Sequence, residues 1–339
     1  MATVNIGIDV GNSDTKSANT TTPSGFLERR ALPFGVEEYL KYGENYYIPD
    51  EEERFPYKRD KTVDSNEFVL TLFGIAKQLI YKICNEANVP KSNPEAIQRV
   101  LDTYDVINLG VGLPPADCST LGKKNVQYYI DKFGDGVHFS FKDVSISDRE
   151  FEFSLRLNNC LNFAQDWAAV VTQRPKDQNH VINKFKSYYA IDIGGYTVDV
   201  VPIMNRKPEG AKSTSIDKGI LRLYSSISKL IATDFGQAVR PDIIESVLKG
   251  DETILGEDVK KCIFDTTQTW VDDIIRSLSD ADVLFDSYPI VFLGGGASAF
   301  KTYIKKNPAI KKCDFIFGAN ANAKGYEKLI TLASKEVKA

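Results

Sequence analysis

A short phrase that occurs twice constrains this chain more than any other feature. It reads Ile-Asp-Val-Gly at residues 8–11 and Ile-Asp-Ile-Gly at residues 191–194. In each copy an apolar run ends in an acid, and a glycine turn with small polar residues follows. The separation of Asp9 from Asp192 is about the length of one domain. The repeat therefore predicts two related domains, each of which presents one such turn.

The residue types in these turns suit phosphate binding. A glycine permits close backbone approach, so that N–H groups can point at phosphate oxygens, and small neighbours add hydroxyl donors. A carboxylate at a strand end suits hydrated magnesium, which prefers oxygen ligands and keeps most of its waters. Lys16, just past the first turn, is placed to neutralise phosphate charge. One such turn is more often an ordinary hairpin, but the pair indicates a nucleotide phosphate tail held between two domains.

Composition narrows the remaining classes of function. The 339 residues, 42% of them hydrophobic, fit about two globular domains. The net charge of −4 excludes a strong overall attraction to nucleic acid and leaves a local basic patch as the alternative. We therefore expect any DNA contact to go through a partner. No apolar stretch approaches the ~18 residues of a membrane span and no secretory signal is visible, so a cytoplasmic protein is expected. Five scattered cysteines and two histidines support neither a disulfide framework, nor a zinc site, nor a histidine-based triad. Carboxylates, amides and magnesium are left to carry any catalysis.

Apolar periodicity predicts alternating strands and helices, as α/β layers require. An amphipathic helix should run from Phe68 and be ended by Pro90, and a strand over residues 105–113 should stop at Pro114. The tyrosine-rich residues 39–61 are read as a solvated loop or edge hairpin, with an exposed tyrosine contact surface as the alternative. The polar residues 174–187 are the best candidate for the crossing between domains.

The second half of the chain also carries candidate residues for the nucleoside side of a site. Asp217-Lys218-Gly219 opens a predicted helix, whose first N–H groups are free. A buried strand over residues 289–293 is followed by Gly294-Gly295-Gly296 and a predicted helix from Ala297. Glycines between a strand and a helix let a flat or anionic ligand lie against the backbone. A last helix, with Tyr326 on its apolar face, is expected to pack on the first domain.

Taken in order, these segments resemble the actin superfamily. Residues 9–16, 112–114, 192–199 and 293–297 look like its phosphate 1, connect 1, phosphate 2 and adenosine motifs. The compact length, residues 217–219 and residues 322–326 most resemble the ParM/StbA plasmid-segregation actins and their archaeal relatives. The resemblance implies an actin-like (ribonuclease H-like) fold, with two related α/β domains around a nucleotide cleft. Domain I would comprise residues 1–174 plus 317–339, and domain II residues 175–316.

The resemblance also implies an activity and a set of site residues. The activity is an ATPase, which uses ATP or GTP with Mg2+, polymerises head to tail, and reaches plasmid DNA only indirectly through an adaptor protein of ParR type; no membrane contact is implied. Magnesium and water would be organised by Asp9 and Asp192. Phosphates would meet Gly11, Asn12, Ser13, Lys16, Gly194, Gly195, Tyr196 and Thr197. The ribose and base would meet Lys218, Gly219, Gly294, Gly295, Gly296 and Ala297.

The catalytic polar residue of this family lies after connect 1, where the present chain has Gln165 and Asp166. An amide can orient water but is no strong base, whereas Asp166 is able to accept a proton. Asp166 would equally suit a cap or ion pair of the adjoining helix, so the choice between the two residues stays open. Asp192 is expected to lie nearest to this pair and to govern hydrolysis.

Other proteins of the same fold provide rival functions. A sugar or acid kinase would use the same two turns to transfer phosphate to a small molecule, but such kinases run longer and place a catalytic aspartate in a substrate pocket. A heat-shock chaperone would add a large substrate-binding domain. A membrane-tethered division actin would need a terminal amphipathic anchor, for which the last residues are too short. The kinase is therefore the main alternative.

Overall fold

The computed structural model describes residues 3–56, 58–172 and 175–336. Its contacts divide the chain into two compact units, Met1–Thr172 with Asn320–Ala339 and Gln173–Ala319. We call these unit 1 and unit 2. The domain boundaries given by the sequence stay a prediction, and residue 174, on which one of them falls, lies outside the described residues.

Unit 1 is built on a nine-stranded mixed sheet with the order β3-β2-β1-β7-β9-β8-β5-β6-β4. β1 pairs in parallel with β7, and β7 with β9, while β1, β2 and β3 form an antiparallel meander. The strands are β1 (Thr3–Val10), β2 (Asp14–Ser17), β3 (Thr21–Pro23), β4 (Gly25–Arg29), β5 (Glu38–Tyr42), β6 (Asn45–Arg54), β7 (Val106–Leu113), β8 (Val137–Asp143) and β9 (Ser147–Ala164).

The described part of unit 1 contains five α-helices. They are α1 (Asn66–Asn85), α2 (Pro94–Leu101), α3 (Pro115–Phe133), α4 (Trp167–Thr172) and the final helix (Ala321–Glu336), which we number α10. The predicted helix after Phe68 is confirmed as α1, whose apolar face is buried in the core with β1 and β7. It ends at Asn85, earlier than the Pro90 that the sequence suggests, and Asn88 then adopts a positive φ of 54°. A residue in this left-handed conformation does not continue a helix, so the turn after Asn85 ends it before the proline does.

The final helix α10 packs on unit 1, as the sequence predicts. Its approach to the sheet is very close at glycines of β1 and β7. A Cβ on Gly7 would lie 2.2 Å from the Ala323 carbonyl oxygen, and one on Gly112 would lie 2.1 Å from the Tyr326 hydroxyl oxygen. Tyr326 is fully buried. The glycine of the connect 1 segment therefore makes room for this helix.

Unit 2 contains a smaller six-stranded sheet, in which β13 pairs with β11 beside the path β12-β11-β10-β14-β15. Its strands are β10 (Tyr188–Ile193), β11 (Val198–Met204), β12 (Lys207–Pro208), β13 (Thr214–Ile216), β14 (Ile290–Leu293) and β15 (Cys313–Phe315). Its helices are α5 (Val181–Lys184), α6 (Ile220–Phe235), α7 (Pro241–Lys249), α8 (Glu257–Asp280) and α9 (Gly294–Lys306).

The two units repeat one arrangement around their first strand. β1 and β10 each continue through a short turn into an antiparallel partner, and each has a parallel neighbour on its other side, β7 or β14. The mixed α/β class with two sheets is thus confirmed. In the described part of the chain, no helix combines the length and the apolar character needed to cross a lipid bilayer.

Two local predictions are wrong. Residues 38–54 do form a hairpin, β5 and β6, but β5 lies inside the sheet between β8 and β6, and Tyr39 and Tyr47 are buried rather than exposed. The Tyr47 ring packs edge-on against Phe26 in the unit 1 core, and the Tyr39 ring packs against Tyr46. Helix α9 starts at Gly294, three residues before Ala297, so the three glycines form its first turn.

We predict that Gly112→Ala lowers the free energy of unfolding by about 1–3 kcal/mol, because its Cβ would overlap the buried Tyr326 ring and displace α10. Urea denaturation measures this change. Gly256→Ala is the control, since a Cβ there meets nothing within 4 Å; because Gly256 is the N-cap of α8, the change should cost less than about 1 kcal/mol. Equal stability of the two variants would contradict the close packing of α10.

Candidate functional site

The first turn, Gly11–Asp14, joins the ends of β1 and β2. The Gly11 N–H donates to the Asp14 carbonyl oxygen at 3.0 Å and closes the turn. A Cβ on Gly11 would lie 2.8 Å from that same oxygen, so the position favours glycine. In the strand pairing, Asp9 stands opposite Lys16, which puts the acid and the base on one face of the sheet.

The second turn, Gly194–Thr197, joins β10 and β11 and repeats this geometry. The Gly194 N–H donates to the Thr197 carbonyl oxygen at 2.9 Å, the counterpart of the bond that closes the first turn. Asp192 occupies the position of Asp9, but its cross-strand neighbour is Asp199 instead of a lysine. The Thr197 hydroxyl donates to the Asp199 carboxylate at 2.8 Å. The two turns therefore have the same backbone hydrogen bond but differ in the charge of the residue opposite the aspartate.

Closure of the turns limits which amides can meet a ligand. The first glycine of each turn has its N–H engaged inside the turn, so Gly11 and Gly194 shape the loop instead of donating outward. The next two N–H groups, of Asn12 and Ser13 and of Gly195 and Tyr196, donate to no protein group within the described residues. These successive free donors are what an anionic oxygen requires.

Helix α6 holds the second turn in place. The N–H groups of Gly219, Ile220 and Leu221 donate to the carbonyl oxygens of Tyr196, Gly194 and Gly195, at 2.9, 3.0 and 2.9 Å. The expectation that the first N–H groups of this helix are free is therefore wrong, because the turn uses them as caps. A Cβ on Gly219 would come within 2.3 Å of the Gly195 carbonyl oxygen, which explains a glycine at this position.

Of the two candidate catalytic residues in unit 1, Gln165 reaches the first turn's acid. Its side-chain amide donates to an Asp9 carboxylate oxygen at 3.2 Å, across 156 residues of sequence. Gln165 follows the end of β9, beside β7, and this parallel pairing brings the ends of the strands together. From the sequence, we expect Asp192 to lie nearest to Gln165 and Asp166; the contact between Gln165 and Asp9 is not predicted.

Asp166 has a different environment. Only 2% of it is exposed, its N–H donates to the Asn322 side-chain oxygen at 2.7 Å, and its carbonyl oxygen accepts the Val170 N–H of α4. Asn322 also faces the Asp166 carboxylate at 3.5 Å. The residue has a φ of +59°, which is strained for an aspartate. Asp166 thus connects the start of α4 to α10, and its role in catalysis stays a prediction.

The nucleoside-side residues are placed in unit 2 around α9, α6 and β10. Gly294 has a φ of +85°, and a Cβ there would lie 1.8 Å from the Asp192 carboxylate. A Cβ on Gly296 would lie 2.4 Å from the Ile193 side chain, whereas Gly295 faces open space. Ala297 is fully buried. Two of the three glycines are therefore required by packing on β10, and only Gly295 presents an open backbone surface.

Lys218 has protein partners on α8. Its amine forms an ion pair with Asp273 and donates to the Ser277 hydroxyl at 2.8 Å. Its place in the nucleotide site therefore stays a prediction from the resemblance.

Magnesium fits these residues only together with a nucleotide. Among the described residues, no three acidic, histidine or cysteine side chains gather into a group that could hold a metal ion. Each turn offers one strand-end carboxylate, Asp9 or Asp192, and magnesium binds readily through one or two carboxylates plus phosphate oxygens and water. The donor set is thus compatible with a nucleotide-bound ion.

Sequence reasoning missed several residues that support the first turn. The Lys61 amine donates to the Val10 carbonyl oxygen, and the Ser24 hydroxyl donates to the Gly11 carbonyl oxygen at 2.6 Å. Arg54 donates to the Ser13 carbonyl oxygen at 3.1 Å. No periodicity or spacing marks these residues, since each acts through one tertiary contact to the backbone.

A half-buried carboxyl lies beside the same turn. Glu67, at the start of α1, lines a small cavity with Asn12 and Lys61. Burial raises the pKa of Glu67 to about 7, opposed by the nearby Lys61 charge and by a hydrogen bond from Tyr129.

This carboxyl predicts a pH-dependent stability. Because its folded-state pKa lies above its ordinary value of 4.5, the folded protein retains the proton longer, and the stability from this group is lost as pH rises through about 7. Between pH 5.5 and pH 8.5, the free energy of unfolding of Glu67→Gln should rise by about 1–3 kcal/mol relative to that of the wild type. Urea denaturation at the two pH values measures this change. Glu37→Gln, at an exposed position, is the control. Parallel pH profiles of the free energy of unfolding in the wild type and in Glu67→Gln would refute this prediction.

Comparisons with known proteins bear on the fold. Residues 190–306 match the family model described as archaeal actin homologue MreB-like, C-terminal. The chain is similar to the apo psk41 ParM protein, with a TM-score of 0.67 and 15% identity over 100% of both chains. It is also similar to the archaeal actin homolog Ta0583 in complex with ADP, with a TM-score of 0.67 and 16% identity over 98% of this chain and 100% of that one.

A third similar structure is that of the Alp12 filament, with a TM-score of 0.63 and 14% identity over 98% of this chain and 100% of that one. No curated protein matches the sequence. Identities this low establish the fold and leave activity open. The resemblance read from the sequence is confirmed at the level of the fold: the chain has the actin-like fold of ParM and the archaeal actin homologues.

Proposed function

We propose that this protein is a filament-forming ATPase that binds ATP or GTP with Mg2+ and segregates plasmid DNA through an adaptor protein. The observation that carries the proposal is the pair of equivalent turns, each closed by its first glycine and each following a strand-end aspartate. A single turn of this kind would be no more than an ordinary hairpin. Two such turns, with free amides in the same positions, suit the two sides of a polyphosphate.

In this proposal the residues of the two turns divide the work of holding phosphates. The free amides of Asn12, Ser13, Gly195 and Tyr196 bind phosphate oxygens, and Lys16 neutralises their charge. Asp9 and Asp192 orient the water molecules of a nucleotide-bound magnesium ion, which when present offsets charge on the phosphates. The base and ribose lie against the open surface at Gly295 and near Gly219.

Gln165 is the residue that orients the attacking water. Its amide already contacts Asp9, so it lies beside the first turn, while Asp166 is almost fully buried and engaged with Asn322. An amide can align water by donating and accepting hydrogen bonds without taking the proton. Asp166 instead has a structural role in this proposal, at the start of α4.

Assembly follows from the same site in this proposal. ATP held by both turns favours one arrangement of the domains, that arrangement presents complementary surfaces, and a head-to-tail contact that does not close on itself grows into a filament. The similarity to the Alp12 filament protein supports this class over a small-molecule kinase. A protein of ParR type would connect the filament to plasmid DNA, as in the ParM systems that the sequence resembles.

The first experiment is sedimentation and light scattering with Mg2+ and either ATP, GTP or no nucleotide. The proposal expects sedimentable polymer at micromolar protein with nucleotide only. Absence of polymer, together with phosphate transfer to a sugar or acid, would favour the kinase.

We predict that Asp192→Ala slows ATP hydrolysis by about 10- to 100-fold, because water and magnesium lose one of their two organising carboxylates. Polymers that still form should be long-lived. Phosphate release measures the rate, and electron microscopy measures polymer lifetime. Asp234→Ala, at an exposed position of unit 2 outside the site, is the control and should hydrolyse at the wild-type rate. Wild-type turnover by Asp192→Ala would remove Asp192 from the site.

A further inference from the structure

Four consecutive acids lie near the end of β6, beside the edge strand β4 of the unit 1 sheet. β4 is the last strand of that sheet, and its pairing with β6 jumps from Phe26↔Pro49 to Gly25↔Arg54. The residues Asp50–Glu53 are therefore left out of the pairing and bulge from it. We call these four residues the acidic bulge.

The acidic bulge has a defined shape and uncompensated charge. The Asp50 carboxylate accepts the N–H groups of Glu52 and Glu53, at 2.7 and 3.2 Å, which fixes the turn. Glu51, Glu52 and Glu53 are exposed. In the part of the chain that the structure describes, none of the four carboxylates has a lysine, arginine or histidine within 4 Å.

The acidic bulge is attached to the first turn. Arg54, the next residue, donates to the Ser13 carbonyl oxygen at 3.1 Å and lies 3.6 Å from the Asp14 carboxylate. The Phe55 N–H donates to the Ser24 carbonyl oxygen, and the Ser24 hydroxyl contacts Gly11. Contacts of Arg54 and Ser24 thus connect the acidic bulge to the first turn.

Unit 2 has a row of cations along one edge of its sheet. β10, β14 and β15 are parallel and β11 is antiparallel to them, so the starts of the first three meet the end of β11. The row, which we call the basic edge, consists of Lys184, Lys186, Arg206, Lys207, Lys311 and Lys312. From β12 to β15 it crosses four strand spacings, which is about 20 Å.

Backbone contacts tie the members of the basic edge together. The Arg206 N–H donates to the Lys186 carbonyl oxygen at 2.8 Å, and the Lys312 carbonyl oxygen accepts the Ile290 N–H at 3.0 Å. The Lys312 amine lies 5.6 Å from the centre of the Phe185 ring, which orients it by a cation–π contact. The row is thus fixed by the sheet rather than by flexible loops.

The basic edge is also uncompensated. All six side chains are exposed, and within the described residues none forms an ion pair. Three acids adjoin the row: Glu209 is paired with Lys212, Asp314 accepts the Val181 N–H, and Asp286 is exposed. Six cations against three acids leave a net positive strip on a chain whose total charge is −4.

We propose that the acidic bulge of one copy docks on the basic edge of the next copy. This inference rests on the proposed function and adds the surfaces through which that filament grows. Opposite, uncompensated charges on two different faces make a head-to-tail contact, which can propagate without closing. The overall negative charge opposes long-range attraction to DNA, so a second copy is the better occupant of the basic edge. Through Arg54, nucleotide at the first turn aligns the bulge for this contact.

The test uses two charge-reversed full-length variants. The bulge variant is Glu52→Lys/Glu53→Lys, which keeps the Asp50 carboxylate that shapes the turn. The edge variant is Lys207→Glu/Lys312→Glu. Each is assayed alone and in equimolar mixture for its critical concentration with ATP and Mg2+, by light scattering and sedimentation.

The proposal predicts that each variant alone polymerises poorly and that an equimolar mixture of the two polymerises again. Each reversal should raise the critical concentration at least about tenfold, because like charges then face each other. In the mixture, the positive bulge of the bulge variant meets the negative edge of the edge variant. The unchanged basic edge of the bulge variant meets the unchanged acidic bulge of the edge variant. An alternating polymer should therefore form, with a critical concentration within about threefold of the wild type. Raising salt should weaken the wild-type polymer.

Control variants separate this contact from net charge. Asp135→Lys/Asp148→Lys changes unit 1 by the same charge as the bulge variant, and Lys123→Glu/Lys229→Glu matches the edge variant; all four residues are exposed. Both controls should polymerise like the wild type. Circular dichroism and unfolding midpoints verify that every variant is folded.

The outcomes are distinguishable. If the wild type forms no polymer, the proposed function fails and the contact fails with it. If the wild type polymerises and the two reversed variants do so equally well, only the contact is overturned. Loss of polymer without recovery in the mixture also overturns it. If the edge variant instead loses binding to duplex DNA and keeps its polymer, the basic edge is a nucleic-acid surface and the proposal is wrong.

Discussion

The organisation of this protein depends on one hydrogen bond made twice, from a glycine N–H to the carbonyl oxygen three residues later. Gly11 to Asp14 and Gly194 to Thr197 close the two turns. Closure fixes the strand-end aspartates relative to the following amides, and it commits the first amide to the turn while the next two stay free. The buried strands β1 and β10 anchor this geometry, because their apolar residues leave polar groups only at the strand ends.

The two turns are supported in different ways. α6 caps the carbonyl oxygens of the second turn, whereas side chains of Ser24, Arg54 and Lys61 hold the first turn. The second turn is thus fixed by a regular element of its own unit. The first is linked to loops that reach the surface, among them the acidic bulge. This asymmetry makes the first turn the better candidate to transmit nucleotide state to assembly.

The fold class and the turns were predictable because they follow local rules: buried strands, glycine turns and the 3.6-residue period of α1. Contacts between distant residues were not. Gln165 reaches Asp9 only because β7 and β9 pair in parallel, and β5 is an interior strand only because β8 pairs with it. The glycines of residues 294–296 were rightly singled out, but packing against Asp192 and Ile193 explains two of them. The role of Lys61 leaves no trace in sequence spacing.

The central claim is that the two turns hold one nucleotide together, and calorimetric titration with ATP and Mg2+ tests it most directly. Two variants probe one turn each: Lys16→Met removes charge beside the first, and Gly195→Val places a side chain beside the free amides of the second. The account predicts one ATP per wild-type chain and affinity at least about tenfold weaker in each variant, with unchanged unfolding midpoints. Two ATP sites per chain, or wild-type affinity in either variant, would contradict it.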